Sequence, residues 1–213
     1  MIIQDNALKA YLKNVYFITG TPCGGKTTIS RALAQRHGLM VYDADEHFPE
    51  HQRLADPAFQ PAMCRRFSSA DEFFGRSVDE YRAWLLDNAR QQLDFVLLDL
   101  IRLAQDRPVL CDVILTIDEA DRLTDVSRVA FLIRDPANLI DDYCNRPDHK
   151  DFSDFINSAT DVARAKATCN ETLWSINAQR LDAIKHSRYF WLERTSSSTV
   201  EDTVRKVERH FNW

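Results

Sequence analysis

Val15-Tyr16-Phe17-Ile18-Thr19 runs straight into Gly20-Thr21-Pro22-Cys23-Gly24-Gly25-Lys26-Thr27-Thr28, and this passage decides how the rest of the chain is read. The first five residues are β-branched or aromatic and stop at a glycine, which predicts a buried strand. After the loop, Ile29 and Leu33 recur at helical spacing, predicting a helix from Lys26 to His37 with Gly38 as its C-cap. Glycines at this spacing let the backbone curl so that successive N–H groups point inward. The helix that follows adds its free N-terminal donors and the positive end of its dipole. That is a cradle for phosphate. Only five glycines occur in the chain, and Gly20, Gly24 and Gly25 all fall in this loop, so general glycine richness does not explain the match.

The spacing G-x-x-x-x-G-K-T assigns a job to each polar group. Residues Gly20, Thr21, Pro22, Cys23, Gly24, Gly25, Lys26, Thr27 and Thr28 are the nucleotide-binding candidates. Lys26 would reach the β- and γ-phosphates, and the Thr27 hydroxyl would ligate Mg²⁺. A nucleoside triphosphate, ATP in the first instance, and Mg²⁺ are therefore the expected ligands.

Working outward, residues 39–42 predict a second strand, 109–115 a third, 128–133 a fourth and 189–193 a fifth. Helical periodicity runs over residues 77–105, residues 136–143 read as a short helix, and 155–186 as one or two more. Residues 46–76 are polar and broken by Pro49, Pro57 and Pro61, with no assignable pattern. Ser198 with Glu201 reads as a capping box opening a final helix. Strands alternating with helices predict an α/β fold: a five-stranded parallel sheet in three layers, with ligands beyond the carboxyl ends of the strands. The whole chain, 1–213, is expected to be one P-loop kinase-like domain, with an acceptor-binding insertion at about 46–80 and a lid at about 144–155.

Asp43-Ala44-Asp45 follows the second predicted strand, and residues two apart on extended chain point the same way. Two carboxylates would then converge beside Lys26. Phe17 to Asp45 resembles the small-molecule kinases of the P-loop superfamily, especially shikimate and gluconate kinases, in which a D-x-D follows the phosphate-loop lysine at this interval. The resemblance implies that Asp43 helps hold Mg²⁺ and that Asp45 grips and deprotonates an acceptor hydroxyl. It also implies a three-layer nucleotide-kinase-like fold with a helical acceptor segment. The glycine-rich motif that shikimate kinases carry after their third strand is missing here, where the sequence reads Val109-Leu110-Cys111-Asp112-Val113-Ile114.

A further metal carboxylate has two candidates, Asp112 in the third strand and Asp99; Asp112 is preferred because Asp99 falls within a long helical period. Asn145-Arg146-Pro147-Asp148-His149-Lys150 stands where related kinases carry lid arginines, so Arg146 is the first choice for a transition-state cation and Lys150 the second. The same stretch nearly spells the guanine-reading N-K-x-D, but with Arg for Lys and in the wrong place. Arg53, Arg65, Arg66 and Arg76 are candidates to clamp an anionic acceptor, with Phe73, Phe74 or Trp84 to stack a ring. His47 adjoins the acidic pair, and Trp174 and Trp191 read as packing residues.

These residues point to an ATP-dependent small-molecule kinase acting on a hydroxyl or phosphate of a metabolite. The alternatives are an NTP hydrolase or switch and a non-catalytic nucleotide-binding module. With a net charge of -5, nucleic acid and anionic membrane are not expected as main partners. The N-terminus has no signal-peptide pattern and no apolar run spans a bilayer. Five scattered cysteines without C-x-x-C spacing fit free thiols in a reducing cytoplasm. A monomer or homodimer is expected.

Overall fold

The computed structural model describes residues 3–135 and 150–213. The expected helix at 136–143, the cluster Asn145 to His149 with Arg146, and Cys144 lie outside them.

Helix α1 (Asp5–Tyr11) precedes strand β1 (Val15–Gly20), which feeds the phosphate loop and α2 (Lys26–His37). Gly38 closes α2 at φ 63°, as its position predicted. Strand β2 (Met40–Asp43) leads without a gap into α3 (Ala44–Leu54), then α4 (Pro61–Cys64), α5 (Ala70–Phe74) and the long α6 (Val78–Leu103). After β3 (Val109–Asp112) come α7 (Ile117–Leu123) and β4 (Val129–Ile133). Helices α8 (Lys150–Asn157) and α9 (Val162–Lys185), strand β5 (Phe190–Glu193) and α10 (Val200–Phe211) complete the chain.

All strand pairs are parallel, in the order β2-β3-β1-β4-β5. Alternation along the strands sends side chains to two faces. Phe17, Cys111, Phe131 and Ile133 pack with α1, α6, α7 and α9, while Ile18, Leu110, Ala130 and Leu132 pack under α2 and α10. Every residue of β3 and β4 is buried, as a sheet covered on both faces requires. A third cluster joins α5, the start of α6, α8 and α9 through Phe74, Tyr81, Ile156, Ala165 and Cys169.

Two local expectations need correction. Residues 46–76 hold most of α3 and all of α4 and α5: Pro49 is tolerated within α3, Pro57 lies in the turn after it and Pro61 opens α4, so the prolines mask helical periodicity without preventing helices. The cap of α10 is Thr199, whose hydroxyl accepts from Asp202 N–H, and not Ser198. Ser198 Oγ instead accepts from Thr195 N–H at 2.9 Å, closing the turn before the helix. Among the described residues no helix is long and apolar enough to cross a membrane.

Candidate functional site

The loop after β1 is built against the end of β4. At Gly20, φ is +128° and a Cβ would lie 2.0 Å from the carbonyl oxygen of Leu132; at Gly24 it would lie 2.3 Å from the same atom. No side chain fits at either position. That carbonyl accepts the Thr21 N–H at 3.1 Å, and Thr21 Oγ1 accepts the Arg134 N–H at 2.8 Å. Just past β5, the Arg194 N–H donates to Ile133 O at 2.8 Å, and its guanidinium Nη1 donates to Cys23 O at 3.0 Å. The loop is thus stapled to two neighbouring strands. Lys26 Nζ turns back to donate to Thr21 O at 3.2 Å, which holds its charge against the curled backbone.

Asp112, the last residue of β3, meets the first turn of α2. Thr27 Oγ1 donates to Asp112 Oδ2 at 2.8 Å. Burial pushes the Asp112 carboxyl up to about 6; Lys26 and Thr27 oppose the rise, while the charges of Asp43 and Asp45 add to it. One carboxylate therefore senses the loop lysine, the loop threonine and both members of the acidic pair. These oxygens are the hard donors that Mg²⁺ prefers. Among the described residues no three His, Cys, Asp or Glu side chains form a closed metal cage, and Mg²⁺ held by few protein ligands, water and phosphate does not need one. The glycine cradle and this carboxylate set fit a nucleotide and its metal.

The acidic pair is not two side chains on one extended strand. Asp43 ends β2 and caps α3, its Oδ1 accepting the Asp45 N–H at 3.0 Å. Asp45 sits in the first helical turn, exposed, and Asp43 is half-buried. Convergence comes from the strand-to-helix junction instead of from the two-residue repeat. Behind that junction lies a polar group with no signal in the sequence. Tyr42 OH donates to Asp99 Oδ2 at 2.8 Å, and His51 Nε2 lies 3.0 Å from the same oxygen. Gln92 donates to Ala44 O at 2.6 Å, and His47 Nδ1 donates to Asp43 O at 2.8 Å while its ring stacks on Tyr42. Asp99 is on α6, as its helical period predicted, and braces the junction from behind.

The other candidates are dispersed. Arg53 is exposed in the last turn of α3, and Lys150 is exposed at the start of α8. The Arg65 guanidinium lies over Phe67. Arg76 is enclosed by Phe67, Phe73, Tyr81 and Trp84 at 4.3–4.9 Å from the ring centroids, and burial lowers its pKa. Phe73, Phe74 and Trp84 are engaged with one another and with Arg76 rather than open to a ligand ring. Trp174 is 52% exposed, contrary to the packing role read for it, whereas Trp191 does pack on the core. Arg194 was missed; its position just past the last strand, at the carboxyl edge of the sheet, is the signal that would have flagged it. It borders a cleft of about 130 Å³ with Gly24, Gly25, Thr28, Ser198 and Thr199.

A family described as "AAA domain" matches residues 17–162, more than half of the chain. The chain belongs to this AAA family of P-loop NTPases. The fold is shared with a solved structure: shikimate kinase from Bacteroides thetaiotaomicron superposes with a TM-score of 0.50 at 14% identity, over 93% of this chain and 98% of that one. A Thermus thermophilus protein, TT1252, aligns over 92% of this chain and 96% of that one at 14% identity, with a TM-score of 0.48. No curated protein sequence matches. The expected five-stranded parallel α/β sheet is thus the sheet of a P-loop NTPase, in a fold that this shikimate kinase shares.

Proposed function

We propose that this chain is an ATP-dependent kinase that transfers the γ-phosphoryl group to a hydroxyl of a small metabolite. One observation supports the reading: Asp112 accepts the Thr27 hydroxyl at 2.8 Å and pairs in register with Asp43 on the neighbouring strand, which sets the acidic pair beside the phosphate loop. Simple nucleotide binding has no use for Asp45 beside the metal carboxylates.

In this reading the loop amides and Lys26 take the triphosphate, and the cleft beside Arg194 and Thr199 takes the nucleoside end. Thr27, Asp112 and Asp43 would hold Mg²⁺, which supplies positive charge to the β- and γ-phosphate oxygens. Asp45, exposed at the start of α3, takes the proton from the acceptor hydroxyl. The acceptor oxygen forms its bond to the γ-phosphorus as the bond from that phosphorus to the β–γ bridging oxygen breaks, and ADP leaves. Arg146 is proposed, on its sequence position alone, to stabilise the charge that develops on the migrating group.

The test is a screen of hydroxy acids, nucleosides and sugars for acceptor-stimulated ADP release, with products resolved. A kinase yields one phosphorylated acceptor for each ADP and little free phosphate. Release of inorganic phosphate, indifferent to every acceptor, would replace this reading with NTP hydrolysis.

A further inference from the structure

Between α6 and α9, against the loop that follows β3, lies a cavity of about 340 Å³ that neither the phosphate loop nor the acidic pair lines. Its size is that of a small-molecule site. Leu86, Leu115, Ile117 and Ile176 give it aliphatic walls, and two arginines, Arg82 and Arg180, line it from the two helices. Leu115 places it at the carboxyl edge of the sheet: its N–H donates to Thr19 Oγ1 at 2.8 Å, one residue before Gly20.

Both arginines are under-used by the protein itself. Burial lowers the Arg180 pKa, with Glu119 opposing, and among the described residues Arg180 makes no hydrogen bond. The Glu119 carboxylate is committed elsewhere, accepting from Thr116 N–H at 2.8 Å and Thr116 Oγ1 at 3.0 Å to cap α7. Arg82 donates one terminal nitrogen to Gln179 Oε1, while its Nε is shielded from water without a partner among the described residues. Two half-buried cations lining one cavity are stabilised by a shared anion, and a guanidinium fork matches a carboxylate. The acidic residue in the lining, Asp118, is solvent-exposed and does not fill that role.

The walls then restrict the rest of the ligand. A polyhydroxylated body buried against Leu86, Ile117 and Ile176 would leave hydroxyls unpaired, which disfavours it. An apolar ring or branched chain gains from the same surface. We propose that this cavity seats the phosphate acceptor, a hydroxy acid with an apolar body whose carboxylate is gripped by Arg82 and Arg180. The word acceptor rests on the kinase reading; the affinity of the cavity for an apolar acid does not.

Calorimetric titration of the nucleotide-free protein with benzoate, cyclohexanecarboxylate and 3-hydroxybenzoate tests it, with 3-hydroxybenzamide and gluconate as controls. At least one apolar acid should saturate, with the neutral amide and the polyhydroxy acid at least about 10-fold weaker. Arg180→Gln should weaken the bound acid by about 10- to 100-fold. Because that change alters a buried charge, Ala183→Phe, at an exposed lining position, provides a second variant that fills the cavity and should abolish the titration with the fold intact by circular dichroism. Lys26→Ala should leave acid binding unchanged. Absence of saturation by all three acids, equal binding of the amide, or indifference to both cavity variants would overturn the inference. If an acid binds as expected but no hydroxylated compound stimulates ADP release, the cavity stands as a ligand site and the kinase reading falls. If ADP release responds to an acceptor whose KM is unmoved by Arg180→Gln, the kinase reading stands and the cavity is not its acceptor site.

Discussion

The two sides of the site are made of different material. On the nucleotide side the recognising groups belong mostly to the backbone: a loop whose glycines press on Leu132 O, followed at once by a helix N-terminus. On the proposed acceptor side they would be side chains gathered from far apart, Asp45 from α3, Arg82 from α6 and Arg180 from α9. A backbone cradle is contiguous in sequence and fails wherever a Cβ is added. A side-chain site is discontinuous, and its members can be removed one at a time while the fold survives. The two sides should therefore break differently.

Asp45→Asn breaks the acceptor side alone and carries the largest expected effect. Removal of a general base should lower kcat by about 10²- to 10⁴-fold, with ATP affinity within about threefold of the parent. Steady-state kinetics with parallel ATP titration reads both numbers. Gly20→Ala breaks the other side: a Cβ 2.0 Å from Leu132 O must displace backbone, so nucleotide affinity should fall by about 100-fold and stability by about 3 kcal/mol or more. Calorimetric ATP titration and urea denaturation measure these losses.

A smaller effect is expected behind the acidic pair. Burial works against ionisation of Asp99, but hydrogen bonds from His51 and Tyr42 outweigh it and hold the carboxyl below its ordinary range. Asp99→Asn should cost about 1–3 kcal/mol at pH 7. With the folded pKa below the unfolded one, the unfolded chain takes up the proton more readily. This contribution is complete above the ordinary carboxylate pKa of about 4 and is lost as pH falls through the lower folded value. Denaturation curves of parent and variant should accordingly converge at acid pH. The smallest effect belongs to Arg53→Ala: an exposed residue at the end of α3 should change stability by less than about 0.5 kcal/mol. KM for any acceptor should move by less than twofold, and a larger change would bring Arg53 back into the site.

The same contrast explains what the sequence disclosed. The phosphate loop, α2 with its Gly38 cap, and the five strands were legible because spacing along the chain encodes them. Asp112 was legible as a strand-end carboxylate, and Asp99 was excluded from that place by helical period. The geometry of Asp43 and Asp45 was misjudged because α3 begins at Ala44, with Asp43 as its cap, so the extended-chain rule did not apply. The arginines were the hardest to read. Arg76, chosen for its place in the polar segment, is enclosed by four rings, whereas Arg180 lies deep in a long helical period and meets the loop after β3 only through tertiary packing. Nothing local distinguishes those two fates.

Asp112 is the carboxylate that stands between the loop, through Thr27, and the acidic pair, through its register with Asp43. The most direct measurement is the affinity for a non-hydrolysable ATP analogue, with and without Mg²⁺, in the parent and in Asp112→Asn. The parent should bind about 10-fold or more tightly with Mg²⁺, and the variant should lose most of that ratio while keeping its metal-free affinity. A variant that retains the full Mg²⁺ dependence would contradict the account, because the metal would then be held without the residue on which the site converges.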